Sequence, residues 1–179
     1  WGDVLAPYNP GYDPTIKPYP YDPEKARALL KEAGYPDGFE TMLTTNSNTK
    51  SETEAIAAIL LGVGIKAKLN IPEEGIWARQ IAERQLHGIG SMPGPWWGGN
   101  THPGIGMTQL MSDYPWGYVS SPEMTASVKK LQTLMDQEEI AAEARHLSKL
   151  YHEQMYRVNL WAKHIAFGLG PRIENWEGV

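Results

Sequence analysis

Apolar residues along this chain follow first a helical and then an alternating rhythm. After Asp22-Pro23, the residues Ala26, Leu29, Leu30 and Ala33 recur at helical spacing. Asp22 suits the N-cap, Pro23 the first helical position, and Gly34 the stop. Pro36-Asp37-Gly38 predicts a turn and Thr41–Thr45 a strand. Ser51 and Glu54 have capping-box spacing for a second helix carrying Ile56, Ile59, Leu60 and Val63, ended by Gly64. Ile65–Ile71 alternates strictly. Ile65, Ala67, Leu69 and Ile71 share one face, and Lys66, Lys68 and Asn70 the other, as in a half-buried strand. Glu73–Leu86 predicts a third helix with Ile76, Trp77 and Ile81 inward, and His87–Met92 a short strand.

The second half is more helical. A short helix is expected from Pro103 to about Ser112. Ser121-Pro122 starts another, carrying Met124, Val128, Leu131, Leu134 and Met135. A break near Asp136 precedes a long helix to about Tyr156 with Ala144, Leu147, Leu150 and Tyr151 inward. Leu160–Gly168 reads as a strand, and Pro171–Val179 has neither cap nor stop. Strands alternating with helices predict an α/β fold, a mixed or parallel sheet flanked by helices. Residues 1–21 stand apart. Tyr and Pro alternate there, Pro biases its neighbour to extended geometry, and an irregular arm is expected.

One stretch fits neither rhythm. Met92–Pro103 holds two adjacent tryptophans, three glycines and three prolines. Glycine and proline disfavour a helix or a central strand, so this is a loop. Each Trp carries roughly 150–250 Å² of surface that prefers burial, so a loop displaying two of them needs something to meet. A second aromatic loop, Asp113–Ser121, adds Tyr114, Trp116 and Tyr118.

Composition narrows the classes. A formal net charge of −5 with scattered Lys and Arg argues against nucleic acid as the main partner. The chain has no cysteine, which removes disulfides, thiol nucleophiles and thiolate metal sites. No apolar run approaches the ~20 residues of a membrane-spanning helix.

The phrase Tyr19-Pro20-Tyr21-Asp22-Pro23-Glu24-Lys25-Ala26-Arg27-Ala28-Leu29-Leu30-Lys31-Glu32-Ala33-Gly34-Tyr35-Pro36-Asp37-Gly38-Phe39 is specific. It resembles a signature of the extracytoplasmic solute-binding proteins, family 5, of peptide, oligopeptide and nickel ABC transporters. Gly64-Ile65-Lys66, Trp77, Trp96 with Gly98 and Pro103, and Tyr118 with Ser121-Pro122-Glu123 match that family in order. The resemblance implies one lobe of a periplasmic-binding-protein-like type II fold. Residues 1–21 would be an extended arm from the preceding lobe, and 22–179 the C-terminal α/β lobe of a longer protein. It implies a non-enzymatic, periplasmic or extracytoplasmic protein, membrane-anchored if the parent is a lipoprotein. Such a protein closes two lobes on a small solute and delivers it to an ABC permease.

In peptide-binding members an Asp similar in position to Gly99 pairs with the ligand's α-amino group. Its absence here disfavours a free peptide N-terminus, because a carboxylate–ammonium contact in a desolvated cleft is strong. Trp96, Trp97, Gly98, Gly99, Asn100, His102 and Trp116 are the expected ligand-binding residues. Aromatic faces with amide and imidazole groups favour a sugar or oligosaccharide over a peptide. The alternatives are a peptide-binding member of the same family, or a carbohydrate-active enzyme or binding module. A hydrolase needs two opposed carboxylates, and no Asp or Glu lies between Glu83 and Asp113. No cofactor and no metal site are expected. His146 and His152 are six apart on a helix and face different ways, His152-Glu153 lacks the second His of a zincin helix, and of the others, His87, His102 and His164, only His102 is a candidate contact.

Overall fold

The computed structural model describes residues 2–90, 102–110, 117, 121–155, 158 and 160. Their Cα positions cluster into two compact units. One gathers described residues 2–18, 102–107 and those from 126 onward; the other gathers 19–90 together with 108–110, 117 and 121–125.

The second unit holds the sheet. Helix α1 (Pro23–Glu32) starts where the sequence places it, with the Asp22 carboxylate accepting from the Lys25 amide at 2.9 Å. It ends at a left-handed Gly34, φ 89°. The Tyr35 amide reaches back to the Leu30 carbonyl and the Gly34 amide to that of Lys31, which closes a Schellman turn. Strand β1 (Phe39–Thr44) leads through a 3-10 turn (Ser47–Thr49) into α2 (Lys50–Leu61). Then follow β2 (Ile65–Asn70), α3 (Glu74–Ala82) and β3 (Ile89–Gly90). The strand order is β2-β1-β3, and both pairings are parallel, with Leu43 opposite Leu69 and Ile89. Leu43, Trp77, Ile81 and Met124 are the buried apolar residues described in this unit. The α/β class stands, and the described strands are all parallel.

Four expectations fail locally. The Ser51/Glu54 capping box does not form, because α2 already begins at Lys50; Asn46 instead caps the 3-10 turn before it. The third helix is shorter than 73–86. The Arg84 amide bonds to Ile81 and the Gln85 amide to Gln80, and this second Schellman turn stops the chain with Arg84 at φ 55°. Ile76 is 42% exposed rather than inward. The apolar stripe of α1 buries no residue, and Leu29 is 54% exposed.

The first unit is built on helices. Here α4 (Pro103–Gly106) packs on α6 (Gln137–Gln154) and runs into a second 3-10 turn (Met107–Leu110), of which only Met107 belongs to this unit. Helix α5 (Pro122–Leu131), which belongs to this unit from residue 126 onward, buries Met124, Val128 and Leu131. It stops before Leu134 and Met135, and Met135 is 87% exposed. Asp136 caps α6 through the amides of Glu138 and Glu139, and α6 buries Ile140, Ala144, Leu147 and Tyr151. The expected strand 160–168 lies outside the described residues apart from Leu160.

Residues 2–18 are wound into turns rather than extended. The cause is two buried aspartates. Asp3 accepts from the amides of Leu5 and Asp13, and Asp13 accepts from the amide and hydroxyl of Thr15. Leu5 is fully buried, Lys149 of α6 pairs with Asp13 at 3.5 Å, and Gly11 approaches Ala141 and Ala144 too closely to carry a side chain.

A buried carboxylate ties α5 to α6. Glu143 accepts from the Ser127 hydroxyl and the Lys130 ammonium. Burial alone pushes its pKa up, but the bonds from Lys130 and Ser127 and the charges of Lys130 and His146 outweigh that and hold it below the ordinary value. Asp13 is likewise lowered, first by the Thr15 hydroxyl and amide, against an opposing effect of burial, with Lys149 adding the least. A carboxylate with a depressed folded pKa stabilises above its unfolded pKa and loses that contribution as pH falls through the folded value. Thermal stability should therefore drop as pH falls below about 4.5. Glu143→Gln should flatten that drop, measured as melting temperature against pH from 6 to 3. An unchanged pH slope in the variant would contradict this.

Candidate functional site

Because β1, β2 and β3 run in the same direction, the chain leaves all three at one edge of the sheet. Open α/β sheets take ligands at that carboxyl edge, where loops are free to vary over a fixed scaffold. Two described segments start there: Thr45–Thr49 after β1 and Ile71 onward after β2. β3 ends there at Gly90, opposite Thr44.

Polar residues at the end of β1 and just after it are buried, whereas Ser47 and Asn48 beyond them are exposed. Thr44, Thr45, Asn46 and Thr53 are each 2% exposed or less. Buried polar groups need partners, and these have them. The Asn70 carboxamide donates to Thr44 Oγ1 at 3.3 Å, and the Thr45 amide to the Asn70 carbonyl at 3.1 Å, which ties the ends of β1 and β2 together. Thr53 Oγ1 donates to the Thr49 carbonyl at 2.7 Å, fastening the first turn of α2. Asn46 Oδ1 accepts from the Asn48 amide at 3.1 Å. The result is a preorganised, uncharged hydrogen-bonding edge.

Of the site residues expected from sequence, Trp96, Trp97, Gly98, Gly99, Asn100 and Trp116 lie outside the described residues. His102 is described and half-buried. It is the N-cap of α4, its Nδ1 accepting from the Gly104 amide at 3.0 Å. That bond places the proton of a neutral imidazole on Nε2. The histidine therefore has a structural task at Nδ1 and one donor to offer at Nε2.

Sequence reading missed the Thr44–Asn46 and Asn70 edge. The signal was present: Thr44-Thr45-Asn46-Ser47-Asn48 is a run of residues that bond their own backbone, placed between a strand and a helix. The arrangement can donate and accept hydrogen bonds to a polar solute. Among the described residues no three His, Cys, Asp or Glu gather to hold a metal ion, and no helix is long and apolar enough to cross a membrane.

A model of the bacterial extracellular solute-binding proteins, family 5 (middle), matches residues 2–118. The chain is similar to the glutathione-binding protein GsiB of Salmonella choleraesuis, with 39% identity over 80 residues, 43% of this chain and 16% of that protein. It is also similar to the periplasmic binding protein DppA of Helicobacter pylori, solved with the peptide STSA. There identity is 27%, the TM-score 0.72, and the match covers 86% of this chain and 31% of that one. HbpA2 of Haemophilus parasuis has the same fold at 23% identity and TM-score 0.72, covering 84% and 32%. The chain thus spans about a third of the length of these solved proteins.

Proposed function

Since the chain belongs to the bacterial extracellular solute-binding proteins of family 5, we propose that its parent is the substrate-binding component of an ABC importer. It takes a small solute outside the cytoplasm and hands it to a membrane permease. This chain supplies one lobe, the C-terminal one, and residues 1–21 lead in from the lobe before it. Trp96, Trp97, Gly98, Gly99, Asn100, His102 and Trp116 are the proposed solute contacts of this lobe. The observation that carries the reading is the family match over residues 2–118; the parallel sheet, whose carboxyl edge is where open α/β sheets take ligands, supports it.

The solute favoured here is a short peptide or a peptide-type compound such as glutathione. That corrects the preference for a sugar drawn from the tryptophans and from Gly99. The relatives named above bind glutathione and a peptide, and neither comparison supports a sugar. The missing acid between Glu83 and Asp113 still bears on specificity. It favours a solute whose amino group is blocked or remote from this lobe. An oligosaccharide remains the second reading, carried by the paired tryptophans.

Isothermal titration of the whole protein decides between them. Glutathione, Ser-Thr-Ser-Ala, its N-acetylated form and a set of oligosaccharides are the probes. Saturable binding of a peptide-type probe is expected, with N-acetylation costing less than about tenfold, since no carboxylate of this loop holds the amino group. Oligosaccharide heat without peptide heat would overturn the peptide reading.

A further inference from the structure

A second concavity lies away from the carboxyl edge, along the first half of β1 and β2. It is a groove of about 620 Å³, within the roughly 300–1,000 Å³ of small-ligand sites. Its wall from α2 is apolar and begins with small residues, Ala57 and Ala58, followed by Leu61, which is 59% exposed. Met42 of β1 adds an exposed thioether. Thr41 is the one uncharged polar side chain of the lining. Such a surface offers little to the hydroxyls of a sugar or the amides of a peptide. It suits an aliphatic chain, whose removal from water is favourable.

The charges of the groove come from one face of the sheet. The register sets Glu40 opposite Lys66 and Met42 opposite Lys68, and strand alternation puts these four side chains on the same face. Lys66 and Glu40 pair at 3.8 Å with side chains 65% and 81% exposed, so water weakens that pair. Lys68 has only Met42 opposite it, and no hydrogen bond or ion pair among the described residues uses its ammonium. Lysine stems lie along apolar surface while the ammonium groups stay in water. The C-terminal end of α2, beside Leu61, would repel an anion. There Arg27 donates to the Gly62 carbonyl at 3.1 Å and places a cation at that end. An aliphatic surface thus meets a net positive rim, in a chain whose formal net charge is −5.

We propose that this groove binds an amphipathic anion, an aliphatic chain ending in a carboxylate. The chain lies along Met42, Ala57, Ala58 and Leu61, and the carboxylate meets Lys68. Burial of the tail supplies the affinity, and Lys68 with Lys66 beside it selects an anion over a cation. The site is separate from the carboxyl edge and does not rest on the peptide reading.

Calorimetric titration of the whole protein with dodecanoate, below its micelle concentration, tests this. Dodecyltrimethylammonium carries the same tail with the opposite charge. Saturable one-to-one binding of dodecanoate is expected, at least about tenfold tighter than the cation. Lys68→Gln removes the charge from an exposed side chain and should weaken dodecanoate about fivefold. Ala58→Phe, at an exposed position of α2, fills the groove and should weaken it at least about tenfold. Both variants should keep the wild-type melting temperature and the wild-type affinity for Ser-Thr-Ser-Ala. Absence of saturable dodecanoate binding overturns the proposal, and is the result expected if another part of the parent covers the groove. Equal binding of the cation, or unchanged dodecanoate affinity in both variants, also overturns it. So does displacement of dodecanoate by Ser-Thr-Ser-Ala, which would put the anion in the solute site. If the wild type binds dodecanoate as expected but no peptide-type probe, the peptide reading fails and this proposal holds.

Discussion

Taken alone, the 179-residue chain is expected to bind the solute at least about a hundredfold more weakly than the whole protein. A small-ligand site buries roughly 70–90% of its ligand. This chain spans about a third of the length of its solved relatives and, on the proposal above, supplies one wall. Leaving about 100 Å² of solute surface in water forfeits about 2.5 kcal/mol at 25 cal/mol per Å². That is already close to two orders of magnitude in affinity. Lost hydrogen bonds to the opposite wall add to it. Titration of the chain and of the whole protein against the same peptide-type probe measures the difference. Equal affinities would mean that the remaining two thirds contribute nothing to binding, against a clamp.

The second large effect is at Leu43. It is fully buried in β1, the middle strand of the described sheet, with Leu69 and Ile89 as its neighbours in register. Leu43→Ala should cost about 2–5 kcal/mol, the range for a truncated core leucine. In the folding constant that is roughly thirtyfold to several thousandfold. Met42 is the control. It adjoins Leu43 on the same strand but points to the other face and is 39% exposed. Met42→Ala should cost less than about 1 kcal/mol. Urea unfolding followed by circular dichroism compares the two. Equal costs would mean that β1 is not the centre of this unit. Because Leu43 is followed directly by the Thr44–Asn46 edge, Leu43→Ala should also weaken solute binding by the whole protein.

Periodicity and caps made much of this fold legible. Asp22-Pro23 started a helix as expected, Gly34 ended it, and the alternation from Ile65 gave a strand. These are local effects, in which residues a few positions apart decide the outcome. Failures came where a competing local bond or the tertiary setting decided. Ser51 and Glu54 had the right spacing, but Asn46 bonded the turn before them. Arg84 took a left-handed conformation that glycine usually fills, so a helix pattern running to Leu86 stopped at Ala82. The α1 stripe is amphipathic, yet it buries no residue, and a helical spacing alone does not say what covers it.

The site divides in the same way. The tryptophan loop was conspicuous because glycine, proline and aromatic residues together are rare in regular elements. Asn46 was not conspicuous, since a polar residue between a strand and a helix usually faces water. Only the three-dimensional bonds make it a buried, pinned carboxamide. The sugar preference rested on reading chemistry from side-chain types. The relatives named above are a glutathione-binding protein and a protein solved with a peptide, and they give that preference no support.

The most direct test of the account is amide hydrogen exchange on the whole protein, with and without a saturating peptide-type probe. The expected result is new protection in segment 44–48 after β1, with little change along α1. Protection that spares this segment and falls elsewhere on this chain would contradict a solute site at the carboxyl edge of the sheet.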